Sequence, residues 1–331
     1  MNHLEKNISE FGKQLSEKNI AVANLEKLSG LKTDGIVVIG IGGSARPGEM
    51  IGAVKKEIGL NIPVVVWKDY GLPDLESMYN IKKPFYICVS FSGDTEEPLS
   101  GFKLLLKKKG ARFAAVTSGG ELKKMALENN VPLAYFEAGY LTPRQSLGIM
   151  FYGLTKLLKA TGLNLKIKDF SKEADFGSFR NKGKKIASSL KDKIVLIYTD
   201  EQHRHLGYIW KIKLNETAKN PAFNNVLPEM DHNEITSFDG RKFNRAAIFI
   251  ESARAPRLEK KFKLTEKLLK ERGTNVIALE LSGRTEIEKA WNMMVLADWT
   301  SYFLAKFNGV PEGEFNISNP KIVIALKKLM G

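Results

Sequence analysis

Short, nearly unbroken apolar runs alternate with longer stretches of helical periodicity along the chain. In the first half the runs are Gly35–Ile41, Pro63–Trp67, Phe85–Ser90, Phe113–Thr117 and Pro132–Phe136. Continuous rather than alternating apolar character marks strands buried on both faces. Helix-like stretches, including Glu97–Lys108 and Glu121–Asn129, separate most of them. Strand–helix alternation with right-handed crossovers predicts a parallel sheet covered by helices, one doubly wound domain. Thr142-Pro-Arg-Gln-Ser-Leu then opens a helix-like stretch to about Ala160, and a polar run from Gly162 to about Lys182 reads as a connection. The expected domains are therefore 1–160 and 161–331.

The second half repeats the theme, with strands at Ile194–Thr199, Arg245–Glu251 and Asn275–Glu280 and a helix-like run at Gly207–Leu214. An irregular Asn/Pro-rich loop is expected after that run. A long helix, Thr285–Lys306, keeps Ile287, Ala290, Met293, Met294, Ala297 and Phe303 at helical spacing. Asn319-Pro320 reads as a further helix start, with Ile322, Ala325, Leu326 and Leu329 as its buried face. The expected fold class is α/β, two doubly wound parallel-sheet domains.

Composition narrows the class. A chain of 331 residues accommodates two domains of ordinary size. No apolar run of about 18 residues exists to span a bilayer, and Met1–Glu10 lacks the apolar core of a signal peptide. A cytoplasmic address follows by default. The single cysteine, Cys88, lies inside an apolar run and reads as a buried, inert thiol. The formal charge of +14 is spread over helix-like segments such as Lys182–Lys193 and Lys260–Arg272. Aromatic stacking platforms do not interleave with them, which argues for solvated faces and against a nucleic-acid partner. A positive field also favours recruitment of an anion.

Two strand exits carry candidate chemistry for that anion. Ile36-Val-Val-Ile-Gly-Ile ends in Gly42, Gly43 and Ser44, where small residues let backbone N–H groups approach a phosphate and a hydroxyl adds a donor. After Phe85–Val89 come Ser90, Ser92 and Thr95, three hydroxyls around one glycine. One of Ser92, Asp94 and Thr95 could serve only as the N-cap of the helix beginning near Glu96. A phosphate dianion accounts better for the whole cluster, since it takes several donors. Neither loop is a nucleotide fingerprint: no Gly-x-x-x-x-Gly-Lys-Ser/Thr occurs, and Gly40-x-Gly42 lacks its third glycine at position 45. Together the loops resemble sugar-isomerase (SIS) domains, flavodoxin-like units that bind phosphosugars at the carboxyl ends of a parallel sheet.

The second half supplies acid–base groups. Moving a proton between adjacent sugar carbons suits a carboxylate base, and opening a cyclic hemiacetal suits a histidine. Asn215-Glu216-Thr and Asp231-His232-Asn233-Glu234 contain such residues, although a surface glutamate and a structural histidine are the alternatives. With Gly-Gly-Ser44, Ser-x-Ser-Gly-Asp-Thr-Glu96, Thr142-Pro-Arg144 and a C-terminal Leu-Lys segment, they resemble the bifunctional phosphoglucose/phosphomannose isomerases over nearly the whole chain. The resemblance implies that Glu216 shuttles the proton between C1 and C2 through a cis-enediol. It implies that His232 assists ring opening in the partner subunit's site of a homodimer, and that Arg144 stabilises the enediolate. Ser44, Ser90, Ser92 and Thr95 would hold the 6-phosphate without any cofactor. The family's C-terminal lysine best matches Lys327, with Lys321 and Lys328 as neighbours. Asn316-Ile-Ser-Asn319 departs from the family's threonine-proline pattern in a region that helps accept the mannose epimer.

Other constellations compete. His203-x-His205 could ligate a metal, but without a carboxylate–His set it reads as a polar helix start. Ser44 lacks the Gly-x-Ser-x-Gly elbow of a hydrolase nucleophile. A phosphosugar-binding regulator would need the loops but no base, and an isomerase of another sugar or aminosugar phosphate would keep both.

Overall fold

Where the apolar runs are longest, the strands are indeed enclosed on both faces. The computed structural model describes residues 2–172, 176–240, 243–252, 255–315, 322, 324, 325 and 329. The chain forms two units, one of Glu10–Ala174 and one of Met1–Ser9 with Asp175–Gly331. The division falls inside the expected connection, later than position 160.

The first helix, α1 (His3–Ser9), belongs to the second unit. In the first unit the order is β1 (Ala21–Ala23), β2 (Gly35–Ile39), α2 (Arg46–Val54), β3 (Val64–Trp67), α3 (Leu75–Tyr79), β4 (Pro84–Ser90) and α4 (Glu96–Lys107). Then follow β5 (Phe113–Thr117), α5 (Gly120–Glu128), β6 (Leu133–Tyr135) and α6 (Leu147–Ala160). The sheet order is β1-β6-β5-β4-β2-β3. All pairs are parallel except β1 with β6. β1 has no counterpart in the sequence reading, because a three-residue edge strand with two exposed positions carries no apolar pattern. The five expected strands pair in parallel, and Cys88 is fully buried, which pushes its thiol pKa up. The chain leaves β2 for β3 on one side and returns to β4 on the other. The switch point therefore lies between the carboxyl ends of β2 and β4, where doubly wound sheets open a crevice.

The second unit continues with α7 (Phe179–Leu190), β7 (Ile194–Asp200), α8 (Arg204–Glu216), β8 (Ala222–Leu227), β9 (Arg245–Glu251), α9 (Pro256–Glu271), β10 (Asn275–Glu280) and α10 (Glu286–Phe307). Its parallel sheet runs β10-β9-β7-β8, with the switch point between β7 and β9. The irregular loop expected after Glu216 spans 217–221, and β8, which follows it, has no counterpart in the sequence reading. Asn224 and Asn225 interrupt the apolar signal, and Phe223 faces outward on this edge strand. Side chains alternate across the sheet. Thr199 packs toward Gly207 of α8, whereas Tyr198 joins Leu227, Met230, Phe249 and α9's Phe262 and Leu269 on the other face.

α10 is covered along nearly its whole length, with Trp291, Trp299 and Tyr302 among its fully buried side chains. α1 packs on it, and Glu5 accepts from Tyr302 Oη at 3.1 Å and pairs with Arg180. The C-terminal segment departs from expectation. Ile322 and Leu329 are 79% and 86% exposed, and Ala325 is exposed too, so these residues form no buried face. Leu326 lies outside the described residues.

Candidate active site

At the first unit's switch point, adjacency of β2 and β4 brings the two hydroxyl loops together. Ser44 Oγ accepts from Phe91 N at 3.0 Å, tying the first loop to the second. Ser90 Oγ accepts from Gly93 N and donates to Thr95 Oγ1, both at 3.0 Å. Thr95 occupies the N-cap position of α4, yet its hydroxyl caps no N–H of that helix. Ser92, exposed, accepts from Asp94 N at 3.2 Å. Simple capping therefore does not account for this cluster. The loops leave hydroxyls beside an uncapped helix start, an arrangement suited to an anion.

Arg144 joins them from α6's approach. A Cβ at Gly43 would lie 2.6 Å from Pro143 O and 3.0 Å from Arg144 N, so only glycine lets the two turns pack. Arg144 is buried in a short 3-10 turn, Pro143–Gln145. Next to it Thr142 Oγ1 is buried with no hydrogen-bond partner among the described residues, a donor that the sequence reading did not single out. A cavity of about 430 Å³ elsewhere in this unit is lined by Leu28, Leu105, Arg112 and Phe113 at the sheet's amino end, and contains none of these residues.

In the second unit, Glu216 closes α8, half-buried. Its position is fixed from two sides. Asn215 clamps Ala222 with both amide groups, accepting from its N–H at 2.8 Å and donating to its carbonyl at 3.2 Å. One turn earlier, buried Lys213 pairs with buried Asp298 of α10 at 2.6 Å. His232, exposed, ends the 3-10 turn Glu229–His232 that leaves the carboxyl end of β8. The turn is anchored by Met230 in the α9-side core and by Asp231, which accepts from Lys261 at 3.1 Å and Thr265 at 3.0 Å. Glu234, next in the motif, accepts from Tyr198 Oη at 2.6 Å and Asn225 Nδ2 at 2.9 Å. Glu216 thus lies on the α8 face near the start of β8. His232 follows the far end of that strand on the α9 face. The structure does not bring the two together within one chain.

The chain is 30% identical over 282 residues to the bifunctional phosphoglucose/phosphomannose isomerase of Aquifex aeolicus, spanning 83% of this chain and 85% of that protein. This chain belongs to the bifunctional phosphoglucose/phosphomannose isomerase family. Residues 179–317 match the bacterial phospho-glucose isomerase C-terminal SIS domain. A D-glucosamine-6-phosphate 4-epimerase from Sulfolobus acidocaldarius is 30% identical over 243 residues, 72% of this chain and 74% of that protein. Tagatose-6-phosphate ketose/aldose isomerase from Escherichia coli shares the fold, with a TM-score of 0.67 at 14% identity over 96% of each chain. The phosphoglucose/phosphomannose isomerase family's C-terminal lysine cannot be located on this fold: Lys321, Lys327 and Lys328 lie outside the described residues.

The second unit's own switch point holds a cluster hidden from sequence reading. His203, expected as a polar helix start, is buried. Its Nδ1 lies 2.7 Å from Asp200 Oδ1 and its Nε2 3.0 Å from Glu286 Oε2. Asp200 Oδ2 also accepts from Ser252 Oγ at 2.7 Å, and Lys289 pairs with Glu286 at 2.7 Å. Burial alone would favour neutral His203, but the hydrogen bond and charge of Asp200, then Glu286, outweigh it and raise the imidazole pKa. Burial of Asp200 is likewise overcome by His203 and Ser252, leaving its pKa well below the carboxylate range. Among the described residues no group of three or more His, Cys, Asp or Glu has a metal-binding arrangement.

Proposed function

We propose that this chain interconverts fructose 6-phosphate with glucose 6-phosphate and mannose 6-phosphate through a cis-enediol(ate). The observation that carries the reading is the convergence of Ser44, Ser90 and Thr95 at one switch point. The family relatives are named for that activity. Hydroxyls and backbone N–H groups of these loops, with Ser92, Gly42 and Gly43, hold the 6-phosphate. Glu216 carries the proton between C1 and C2, and Arg144 balances the charge of the enediolate. Lys327 adds the family's C-terminal cation.

His232 opens the sugar ring from the partner subunit of a homodimer. The opposite-face positions of Glu216 and His232 support that reading. β8, six residues long, separates them by roughly 17 Å along the sheet alone, too far for one chain to present both groups to one sugar. Proton transfer through Glu216 requires no cofactor. No described helix is long and apolar enough to cross a membrane, and a cytoplasmic address is part of this reading.

The Sulfolobus epimerase favours a second reading, in which the same loops hold an aminosugar phosphate. One assay tests both: turnover of fructose 6-phosphate with glucose and mannose products counted separately, alongside glucosamine 6-phosphate. Glucose 6-phosphate formation is expected. Turnover of the aminosugar alone favours the second reading, and binding without turnover favours a phosphosugar-binding regulator.

A further inference from the structure

Arg46 begins α2, two residues beyond Ser44, and its side chain is only 4% exposed. A buried guanidinium needs a compensating charge and good acceptors. Glu49, one turn along the helix, pairs with it, and Lys68 pairs with Glu49 in turn. The Arg46 Nε donates to Gly42 O at 3.1 Å.

That last bond matters for the phosphate loop. Gly42 has φ +55°, a left-handed conformation that glycine adopts readily. In a planar trans peptide the C=O of one residue and the N–H of the next point in opposite directions. Holding the Gly42 carbonyl toward a buried guanidinium therefore turns the Gly43 N–H the other way, away from Arg46. Contact of Gly43 with the Pro143 carbonyl restrains the other side of the turn.

We propose that Arg46 is a positioning residue for sugar-phosphate recognition, fixing the Gly42–Gly43 peptide so that the Gly43 N–H addresses the phosphate. Arg46 itself touches no reacting atom. The inference rests on the isomerase reading above in naming fructose 6-phosphate, but its core claim concerns phosphate affinity alone.

The test compares Arg46→Lys, Arg46→Met and the double variant Arg46→Met/Glu49→Met, the last leaving no stranded buried carboxylate. The double variant should retain its cooperative thermal unfolding. Its KM for fructose 6-phosphate should rise about tenfold, as expected for losing one charge-assisted positioning interaction, with kcat changed much less. Arg46→Lys, which keeps a charged donor, should recover part of the loss. Calorimetric titration with inorganic phosphate gives a readout independent of turnover, and the double variant should bind it about tenfold more weakly than wild type. A folded double variant with wild-type phosphate affinity overturns the proposal, as does a wild-type protein that binds no phosphate. Weakened phosphate binding in a protein that never isomerises fructose 6-phosphate would overturn the isomerase reading and leave the role of Arg46 standing.

Discussion

The two units build the same kind of switch point and furnish it in opposite ways. Where β2 and β4 part, the chain supplies Gly42, Gly43, Ser44, Ser90 and Thr95, small or hydroxyl-bearing groups with donors to offer. Where β7 and β9 part, it supplies Asp200 and Ser252, and closes them over with His203 and Glu286. An anion approaching the first crevice meets N–H and O–H groups. One approaching the second meets two carboxylates already satisfied by an imidazole. Topology thus sets where a doubly wound sheet can bind, and a handful of side chains at the strand exits decides whether it does. In the proposed mechanism the second unit contributes from the end of α8 and the turn after β8, away from its own crest.

The sharpest way to break that division of labour is Glu216→Gln, which keeps size and hydrogen-bonding capacity but removes the base. If the first unit binds and the second supplies the proton shuttle, kcat should fall at least ~10²-fold, with little change in phosphosugar affinity. Steady-state kinetics with a parallel binding titration checks this. Near-normal turnover would remove Glu216 from the chemistry.

A second, comparably large effect follows from the separation of Glu216 and His232 on opposite sheet faces. Mixed Glu216→Gln and His232→Ala subunits should form heterodimers with one doubly lesioned site and one intact site. Such heterodimers recover up to about half the wild-type activity per dimer, because an isologous interface provides two equivalent sites. Mixtures that demonstrably exchange subunits yet stay as inactive as either parent would confine His232 to its own chain.

The hydroxyl cluster should matter less, and in KM rather than kcat. Ser90→Ala with Thr95→Val removes two phosphate donors, and a rise in KM of about tenfold is expected from the loss of hydrogen bonds to a dianion. Initial-rate kinetics with fructose 6-phosphate decides it. An unchanged KM would mean that these hydroxyls serve only to hold the Gly93 turn.

What the sequence disclosed follows the same contrast. The first crevice was readable because its parts are local: Ser90, Ser92 and Thr95 lie within six positions, directly after a strand whose apolar run is unbroken. Strands such as β4, β5, β9 and β10 were readable for the same reason. β8 was not, since its Asn224 and Asn225 belong to an edge strand that need not be apolar throughout. The His203 cluster was invisible because its partners arrive from far along the chain. Glu286 is 83 residues from His203, and Ser252 is 52 from Asp200. Only the pairing of β7 with β9 and the docking of α10 assemble it. Nor could sequence distance reveal that Glu216 and His232 face opposite ways, a consequence of which helix covers which side.

The smallest expected effect tests whether the second crevice is closed by charge. With carboxylates at both ring nitrogens, His203 satisfies both only as the imidazolium, and its pKa is raised. A group whose folded pKa exceeds its unfolded value contributes stability that is complete below the unfolded value, about 6.5 for histidine. That contribution is lost as pH rises through the folded pKa. Asp200, with a lowered pKa, contributes in the opposite sense: its share is present above about 3.9 and disappears as pH falls through the folded value. The cluster therefore stabilises the unit most in mildly acidic solution, with Lys289 paired to Glu286 on its outer side. The unfolding midpoint of wild type should exceed that of His203→Gln by several degrees near pH 6. The gap should narrow by about 2–4 °C toward pH 9, the shift expected for about 1 kcal/mol in a domain of this size. Thermal melts of both proteins across that range provide the measurement, and phosphate affinity should be the same in the two at each pH. Parallel curves would mean that the fold leaves the proton affinity of His203 unchanged, and a gap that widens toward pH 9 would mean that it holds the ring neutral. A loss of phosphate affinity would mean that the second crevice is not closed to the ligand after all.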